Sequence, residues 1–364
     1  MNKLKVGIIG ATGMVGQRFI LLLTNHPWFE ISLLAASPRS VGKTYQEAVD
    51  GKWAMNQPIP KSIISMKLYD INDIETISSQ VDFIFSAVNM NKNEIRKMEE
   101  DYAKHECVVI SNNSAHRDTA DVPMIIPELN YSHMKIINAQ RKRLGTKRGF
   151  IAVKSNCSIQ SYVPMLYPLN EKYGVKEIVV STYQAISGAG KTFDTFPEIQ
   201  DNIIPYIEGE EEKSEREPLK IWGHIENNEI IAAKSPLISV RSLRVPVSDG
   251  HLATVFASFE KKPKLEDIKK IWREFKGLPQ TLMLPSAPKR FIHYFDELNR
   301  PQPQLDREIE NGMAVSVGRL YEDTIFDISF IGLSHNTIRG AAGGAILLAE
   351  LLYANNYITE KTGE

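Results

Sequence analysis

Hydrophobic residues along this chain fall into short runs separated by polar or amphipathic stretches, and the rhythm changes near the middle. Lys5-Val6-Gly7-Ile8-Ile9 is a β-type run. It leads into a glycine-rich turn, Gly10 to Gly16, and then a helix predicted over Gln17 to Thr24. Further strands are predicted over Ile31 to Ala36, Val81 to Ala87 and Cys107 to Ser111, with a charged helix from Lys92 to His105 between the last two. Gly149 to Val153 reads as one more buried strand, followed by a helix-like segment through Met165 and Leu166. Strands alternating with helices predict a parallel, doubly wound α/β sheet.

After residue 155 the pattern is different. Glu177 to Gln184 and Ala253 to Phe259 are alternating or apolar strands whose order suggests an α+β domain with a mostly antiparallel sheet. Glu208 to Lys213 is a charged excursion that opens a polar helix. Asn336 to Leu352 is a small-residue helix whose glycines and alanines permit close packing, and it is expected to return to the first domain. The expected division is 1–155, completed by 336–364, and 156–335 between them. No repeat or low-complexity linker interrupts it.

Composition narrows the classes. The chain has 364 residues, a net charge of −1 and 43% hydrophobic residues, enough for two ordinary cores. That balance gives no electrostatic reason to expect nucleic acid or an anionic membrane. The basic run Arg141-Lys142-Arg143 is read as a solvated face. Two cysteines make no disulfide framework, and no Cys/His spacing suggests a metal, so a reducing, cytoplasmic setting is expected. Lys3 and Lys5 before Phe19 to Leu23 look superficially like a signal peptide, but three glycines and Gln17-Arg18 break the run. No stretch is apolar enough to span a membrane.

Three places carry candidate chemistry. The turn has the spacing G-x-x-G-x-x-G between a strand and a helix, where backbone amides can approach a pyrophosphate. The second strand ends in Ser37-Pro38-Arg39-Ser40 with no acidic residue for a ribose diol. Arg39 and the serines suit a 2′-phosphate, favouring NADP over NAD, although a solvated loop would read the same way. Cys157, in Ser155-Asn156-Cys157-Ser158, lies at a strand-to-helix junction whose dipoles favour a thiolate. Asn156 could donate to an oxyanion. Standing alone, such a cysteine reads as a small buried hydrophobe, and Cys107, heading an apolar strand, is read as core. Arg117, in the turn after that strand, suits a phosphate or a surface ion pair. In Arg244 to His251, an exposed imidazole at His251 could serve as acid and base or be structural, and Arg244 could hold a carboxylate in two bonds.

Six segments together resemble the aspartate-β-semialdehyde dehydrogenase family, most closely its archaeal and fungal branch. They are Gly10 to Gly16, S-N-C-S at Ser155 to Ser158, T-Y-Q-A-I-S-G-A-G at Thr182 to Gly190, G-E-E-E-K at Gly209 to Lys213, R-V-P-V-S-D-G-H at Arg244 to His251, and H-N-T-I-R-G-A-A-G-G at His335 to Gly344. The resemblance spans essentially the whole chain. It implies a Rossmann-type NADP domain, with Gly10, Thr12, Gly13, Met14, Val15, Gly16, Ser37, Arg39 and Ser40 at the cofactor. A catalytic and dimerisation domain follows. By the same resemblance Cys157 is the acyl-accepting nucleophile, His251 the acid–base group and Gln184 the residue that orients substrate. Arg244 takes the α-carboxylate and Glu210 the amino group. Lys213, Arg117 and Asn113 take phosphate, with Asn112 as the alternative to Asn113. Asn336, Ser187 and Gly188 face the nicotinamide side. The implied reaction is NADPH-dependent reduction of aspartyl phosphate to aspartate semialdehyde through a cysteine thioester, in lysine, threonine, methionine and isoleucine biosynthesis, by a homodimer or homotetramer. Malonyl-CoA reductase is the related alternative; Asn156, Glu210 and Lys213 favour the amino-acid substrate. The G-C-Y arrangement of N-acetylglutamyl-phosphate reductase is absent. Gln160 departs from the threonine or small residue usual at its place.

Overall fold

Apolar runs buried on both faces pair into a parallel sheet, since helices cover both sides. A computed structural model describes residues 2–361; Met1 and residues 362–364, at the ends of the expected first domain and C-terminal helix, lie outside the described residues. The strands are β1 (Leu4–Ile9), β2 (Phe29–Ala36), β3 (Leu68–Asp70), β4 (Phe83–Ser86), β5 (Val108–Ser111) and β6 (Ile151–Val153). Their order is β3-β2-β1-β4-β5-β6, parallel throughout, the doubly wound arrangement expected. Edge strand β3 is too short and too polar for the sequence pattern to signal it. The first helix is Met14–Leu23 and starts earlier than predicted, inside the glycine turn. Gly10 has φ +88°, and a Cβ there or at Gly16 would come within 2.5 and 2.4 Å of backbone atoms. Only glycine lets the helix begin so close to the strand end.

The second sheet uses β7 (Val175–Gln184), then, after a separate hairpin of β8 (His224–Glu226) and β9 (Glu229–Ile231), β10 (Leu237–Arg244), β11 (His251–Phe259), β12 (Ile292–Tyr294), β13 (Val315–Glu322) and β14 (Ile328–Ser334). Its order is β10-β7-β11-β14-β13-β12. The two outermost pairs are parallel and the three inner ones antiparallel, so the sheet is mostly antiparallel as expected. Burial alternates along β11 residue by residue. One face packs against helices Val163–Tyr173 and Leu265–Glu274, where buried Trp272 donates its indole N–H to Met165 O at 2.9 Å. The other face, with Leu252, Thr254 and Phe256, is only half covered.

The chain then returns to the first sheet. The C-terminal helix starts at Gly343, not at Asn336, because Ile338–Ala342 forms a wide turn with Ala341 outside helical geometry. Its residues Ile346, Leu347 and Leu351 share a core with Phe83, Val108 and Ile110 of the parallel sheet. Arg339 in that wide turn is 1% exposed and donates two hydrogen bonds to the Glu128 carboxylate; its Nε donates to Gln160 Oε1 at 3.1 Å. Its guanidinium also lies 4.5 Å from the centre of the Phe291 ring.

The basic stretch is not simply a solvated face. Arg141 donates to the carbonyls of Arg148 and Tyr357, and Arg143 pairs with Asp121 and Glu100. These arginines tie loop backbone together. Cys107 is fully buried, and burial pushes its thiol up to about 11. Among the described residues no helix is long and apolar enough to cross a membrane, and no group of side chains could hold a metal ion.

The Glu128–Arg339 pair fastens the returning segment to the parallel half. Glu128→Ala, which leaves a buried guanidinium unpaired, is expected to cost about 3–5 kcal/mol in urea unfolding. A loss below about 1 kcal/mol, the worth of an exposed pair, would show that the pair does not hold the segment.

Candidate active site

The carboxyl ends of β1, β4, β5 and β6 open into one cleft of about 330 Å³. Ligands bind at this edge in doubly wound sheets. Val15, Asn112, Asn113, Arg117, Asn156 and Cys157 reach it from the parallel half, and Ser187, Gly188, Glu210, Lys213 and Asn336 from the other side. Sequence-distant candidates therefore meet in one place. A second cavity of about 220 Å³ shares Arg117 and Lys213 with the cleft.

The nucleophile loop is held by one helix, Glu210–Ile221. Residues 210, 214 and 217 recur on one helical face. Both oxygens of Glu210 accept from Asn156 Nδ2, at 3.1 and 3.0 Å, and Glu217 Oε2 accepts the Asn156 backbone N–H at 2.5 Å. Ser214 Oγ meets Ser158 Oγ at 2.9 Å. Asn156 Oδ1 in turn accepts from Ser158 N and Oγ, both at 2.7 Å. The Asn156 amide thus fixes the loop, and its N–H groups are engaged by Glu210 rather than free for an oxyanion. Ser214 and Glu217 escape sequence reading, although their helical spacing from Glu210 was visible.

Cys157 Sγ lies 3.4 Å from His251 Nε2. The expected helix dipole is weak here, since only a single tight turn, Ser158–Ser161, follows the cysteine and the α-helix starts at Val163. Burial pushes the thiol above its ordinary value and nearby Glu210 adds to this; Lys154, Arg117 and Arg244 pull the other way without prevailing. Burial therefore works against the expected thiolate. His251 is fully buried, not exposed as expected. Burial, then Arg244, lowers its pKa to about 3, so the ring is neutral. Ala185 N–H donates to Nδ1 at 3.0 Å. A backbone N–H can only donate, so the ring's single proton resides on Nε2 and faces the sulfur.

Gly188 covers this pair. A Cβ there would fall 2.9 Å from Arg244 Nη1 and 3.1 Å from His251 Cε1. Arg244 donates to Ala185 O at 2.7 Å and pairs with no carboxylate among the described residues. Gln184 is buried, with Nε2 3.3 Å from Glu210 Oε2. Burial works against the Glu210 charge, but Lys213, at 2.8 Å, with Asn156 and Gln184, outweighs it and holds the carboxyl below its ordinary value. Asn336 donates to Ser187 Oγ and accepts from Gly250 N, both at 2.8 Å, so it braces the Ser187 turn against the start of β11.

Arg117 is half-buried at the cleft and forms an internal ion pair, not a surface one. It donates to Glu217 Oε1 and to Asn112 O, both at 2.9 Å, and its Nε has no partner. Asn112 Nδ2 is likewise buried without a partner. Asn113 differs: its Nδ2 donates to Ser86 Oγ at 3.0 Å and Glu99 Oε1 at 2.9 Å. Both Asn113 amide hydrogens are engaged within the protein, whereas Asn112 keeps an unpartnered donor, although both residues line the cleft. Two orphan donors beside one cleft favour an acceptor-rich ligand. Gln160 is also explained. Its Nε2 donates to Ser155 Oγ at 2.8 Å while its Oε1 accepts from Arg339, linking the nucleophile loop to the core ion pair. Lys154, unremarked in the sequence, is buried under the loop with Nζ on Ser155 O at 2.7 Å, and burial lowers it to about 7.

A dinucleotide fits the same edge. Gly10, Thr12, Gly13, Met14 and Gly16 lead from β1 to Val15 in the cleft, and no side chain caps the helix that starts at Met14. Its first amides are available to a pyrophosphate. Ser37, Arg39 and Ser40 follow neighbouring β2, with Arg39 exposed and in no ion pair among the described residues.

Comparison with known proteins agrees with this layout. Residues 5–137 match the family described as semialdehyde dehydrogenase, NAD binding domain, and residues 166–339 the semialdehyde dehydrogenase dimerisation domain. An aspartate-semialdehyde dehydrogenase of Methanothermobacter thermautotrophicus is 42% identical, covering 95% of this chain and 98% of its own. One of Aspergillus fumigatus is 41% identical over 98% and 99%. The crystal structure of aspartate semialdehyde dehydrogenase with NADP from Candida albicans superposes with a TM-score of 0.88 at 38% identity, covering 98% of this chain and 100% of that one. On a shared fold, full-length similarity and one convergent cleft, the chain belongs to the aspartate-semialdehyde dehydrogenase family and is similar to its archaeal and fungal members.

Proposed function

We propose that this chain catalyses the reversible, NADPH-dependent reduction of L-aspartyl 4-phosphate to L-aspartate 4-semialdehyde and phosphate, a step toward lysine, threonine, methionine and isoleucine. The observation that carries it is Cys157 beside His251, with a separate group nearby for each charge of the substrate. The α-carboxylate fits Arg244, a buried cation without a carboxylate partner. The ammonium fits Glu210. The phosphate fits Lys213, Arg117 Nε and Asn112 Nδ2, the last two being unpartnered donors.

The chemistry follows from these positions. Cys157 Sγ attacks the acyl carbon, the carbon–oxygen bond to phosphate breaks, and a thioester forms. The thiol proton leaves on hydrogen phosphate, so no charged imidazolium is needed. A thioester accepts hydride where a carboxylate resists it. NADPH, when bound, supplies that hydride to the acyl carbon. His251 Nε2–H stands beside the sulfur and stabilises negative charge on the carbonyl oxygen and then on the departing thiolate, which a proton from solvent returns to the thiol. Gln184 braces Glu210, and through it the substrate's amino group.

Residues 1–155 with 336–364 form the cofactor domain in this reading, and 156–335 the catalytic and dimerisation domain. A homodimer, or a homotetramer built from it, is supported by the half-covered face of β11. The two unpaired cysteines suit a reducing cytoplasm.

The decisive assay follows NADPH absorbance with aspartate semialdehyde, NADP and phosphate. Phosphate-dependent NADPH formation is expected, and malonyl-CoA should not oxidise NADPH; the reverse pattern would move the substrate to the CoA thioester. Cys157→Ser should lower turnover by at least about a thousandfold while leaving NADP binding intact. The pH dependence of Cys157 alkylation by iodoacetamide tests the resting state. A raised thiol is protonated, hence slow, at neutral pH, and the rate should climb with pH to an inflection above the ordinary thiol range. Since His251 titrates near 3, no inflection is expected between about pH 5 and 8; finding one would mean an imidazolium–thiolate pair. Arg39→Ala should raise the KM for NADP about tenfold to a hundredfold and leave the weaker use of NAD unchanged. Equal effects on both cofactors would remove Arg39 from the 2′-phosphate.

A further inference from the structure

Glu217 is a buried carboxylate to which the reaction above assigns nothing. It is 7% exposed, and its two oxygens serve two different parts of the site. Oε1 accepts from Arg117 Nη1 at 2.9 Å, and Oε2 accepts the backbone N–H of Asn156, the residue before the nucleophile, at 2.5 Å. Arg117 follows β5 and Asn156 follows β6, so these loops leave neighbouring strands of one sheet. Glu217 comes from a helix outside that sheet and joins them.

Both partners are donors. Only a group with two acceptor oxygens satisfies them together, and a carboxylate of this reach does so. The Arg117 guanidinium is consequently held from two sides, by Glu217 and by Asn112 O at 2.9 Å, which leaves Nε as its one nitrogen without a partner. Glu217 also balances the Arg117 charge, so the anion site is not strongly cationic before substrate arrives. A leaving group that must bind and then depart calls for such moderation.

We propose that Glu217 is a positioning residue that sets the Arg117 phosphate donor in register with the Cys157 loop, so that phosphate is seated where the sulfur can reach its acyl carbon. This rests on the phosphate reading given above. Placement matters at this scale: a misplacement of about 1 Å can cost about a hundredfold in rate.

The test is steady-state kinetics in the phosphorylating direction. Glu217→Gln is isosteric but offers one acceptor oxygen, and its amide hydrogens confront the second donor, so one contact must break. The KM for phosphate should rise at least about tenfold and kcat should fall, with the KM for NADP within about twofold as the sign that the fold is intact. Glu217→Asp keeps the charge but is one methylene shorter; it should show the same rise in phosphate KM, and it serves if the glutamine variant does not fold. In an Arg117→Ala background, Glu217→Gln should raise phosphate KM no further. An unchanged phosphate KM in both variants, or full additivity with Arg117→Ala, overturns the proposal. Absence of phosphate-dependent turnover in the wild type would instead sink the function reading itself.

Discussion

The site depends on one helical face pressing on one loop. Glu210, Ser214 and Glu217 contact Asn156 and Ser158 from a helix that belongs to neither neighbouring strand. β6 alone would deliver Cys157 to the sheet edge with its loop free to move. The helix removes that freedom with hydrogen bonds to a backbone N–H, an amide and a hydroxyl, all in a setting where an unmade bond is costly. The nucleophile is therefore defined only once the two sheets have docked. The Gln160 bridge to Arg339 adds the returning C-terminal segment to the same constraint.

The electrostatics follow from that enclosure. Burial works against charge on both members of the Cys157–His251 pair. Charged groups around them are mostly paired within the protein: Lys213 with Glu210, and Arg117 with Glu217. Arg244 and Lys154, which donate to backbone carbonyls, are exceptions. A substrate carrying a carboxylate, an ammonium and a phosphate can satisfy Arg244 and take the place of the Glu210–Lys213 contact, the ammonium meeting Glu210 and the phosphate Lys213. The resting ion pair holds a charge pattern that the substrate reproduces, so little reorganisation accompanies binding.

Much of this was legible in the sequence. The doubly wound half declares itself because its strands are continuous apolar runs and its turn needs glycine at positions 10 and 16 for steric reasons. The mixed sheet shows in the alternation of β11. Cys157, His251, Glu210 and Arg244 stand in recognisable strings. What was illegible depends on three-dimensional partners. Asn112 and Asn113 differ only in which one reaches Glu99, and the protonation of Cys157 depends on burial by residues far along the chain. The helix beginning at Gly343 was misplaced because small residues signal close packing equally well in a helix or a wide turn.

The tautomer of His251 shows how far such backbone detail reaches. Ala185 follows Gln184 at the end of β7, and its N–H is aimed at the imidazole because β7 and β11 are paired, Tyr183 opposite Leu252. A register shift of one residue would remove that donor and free Nδ1 to carry the ring proton. The ring would then offer Nε2 to the thiol as a base. Sheet register thus determines whether the histidine gives or receives the hydrogen bond at sulfur. In this register it gives, and in the proposed reaction the thiol proton accordingly departs with the phosphate assigned to Arg117 and Lys213.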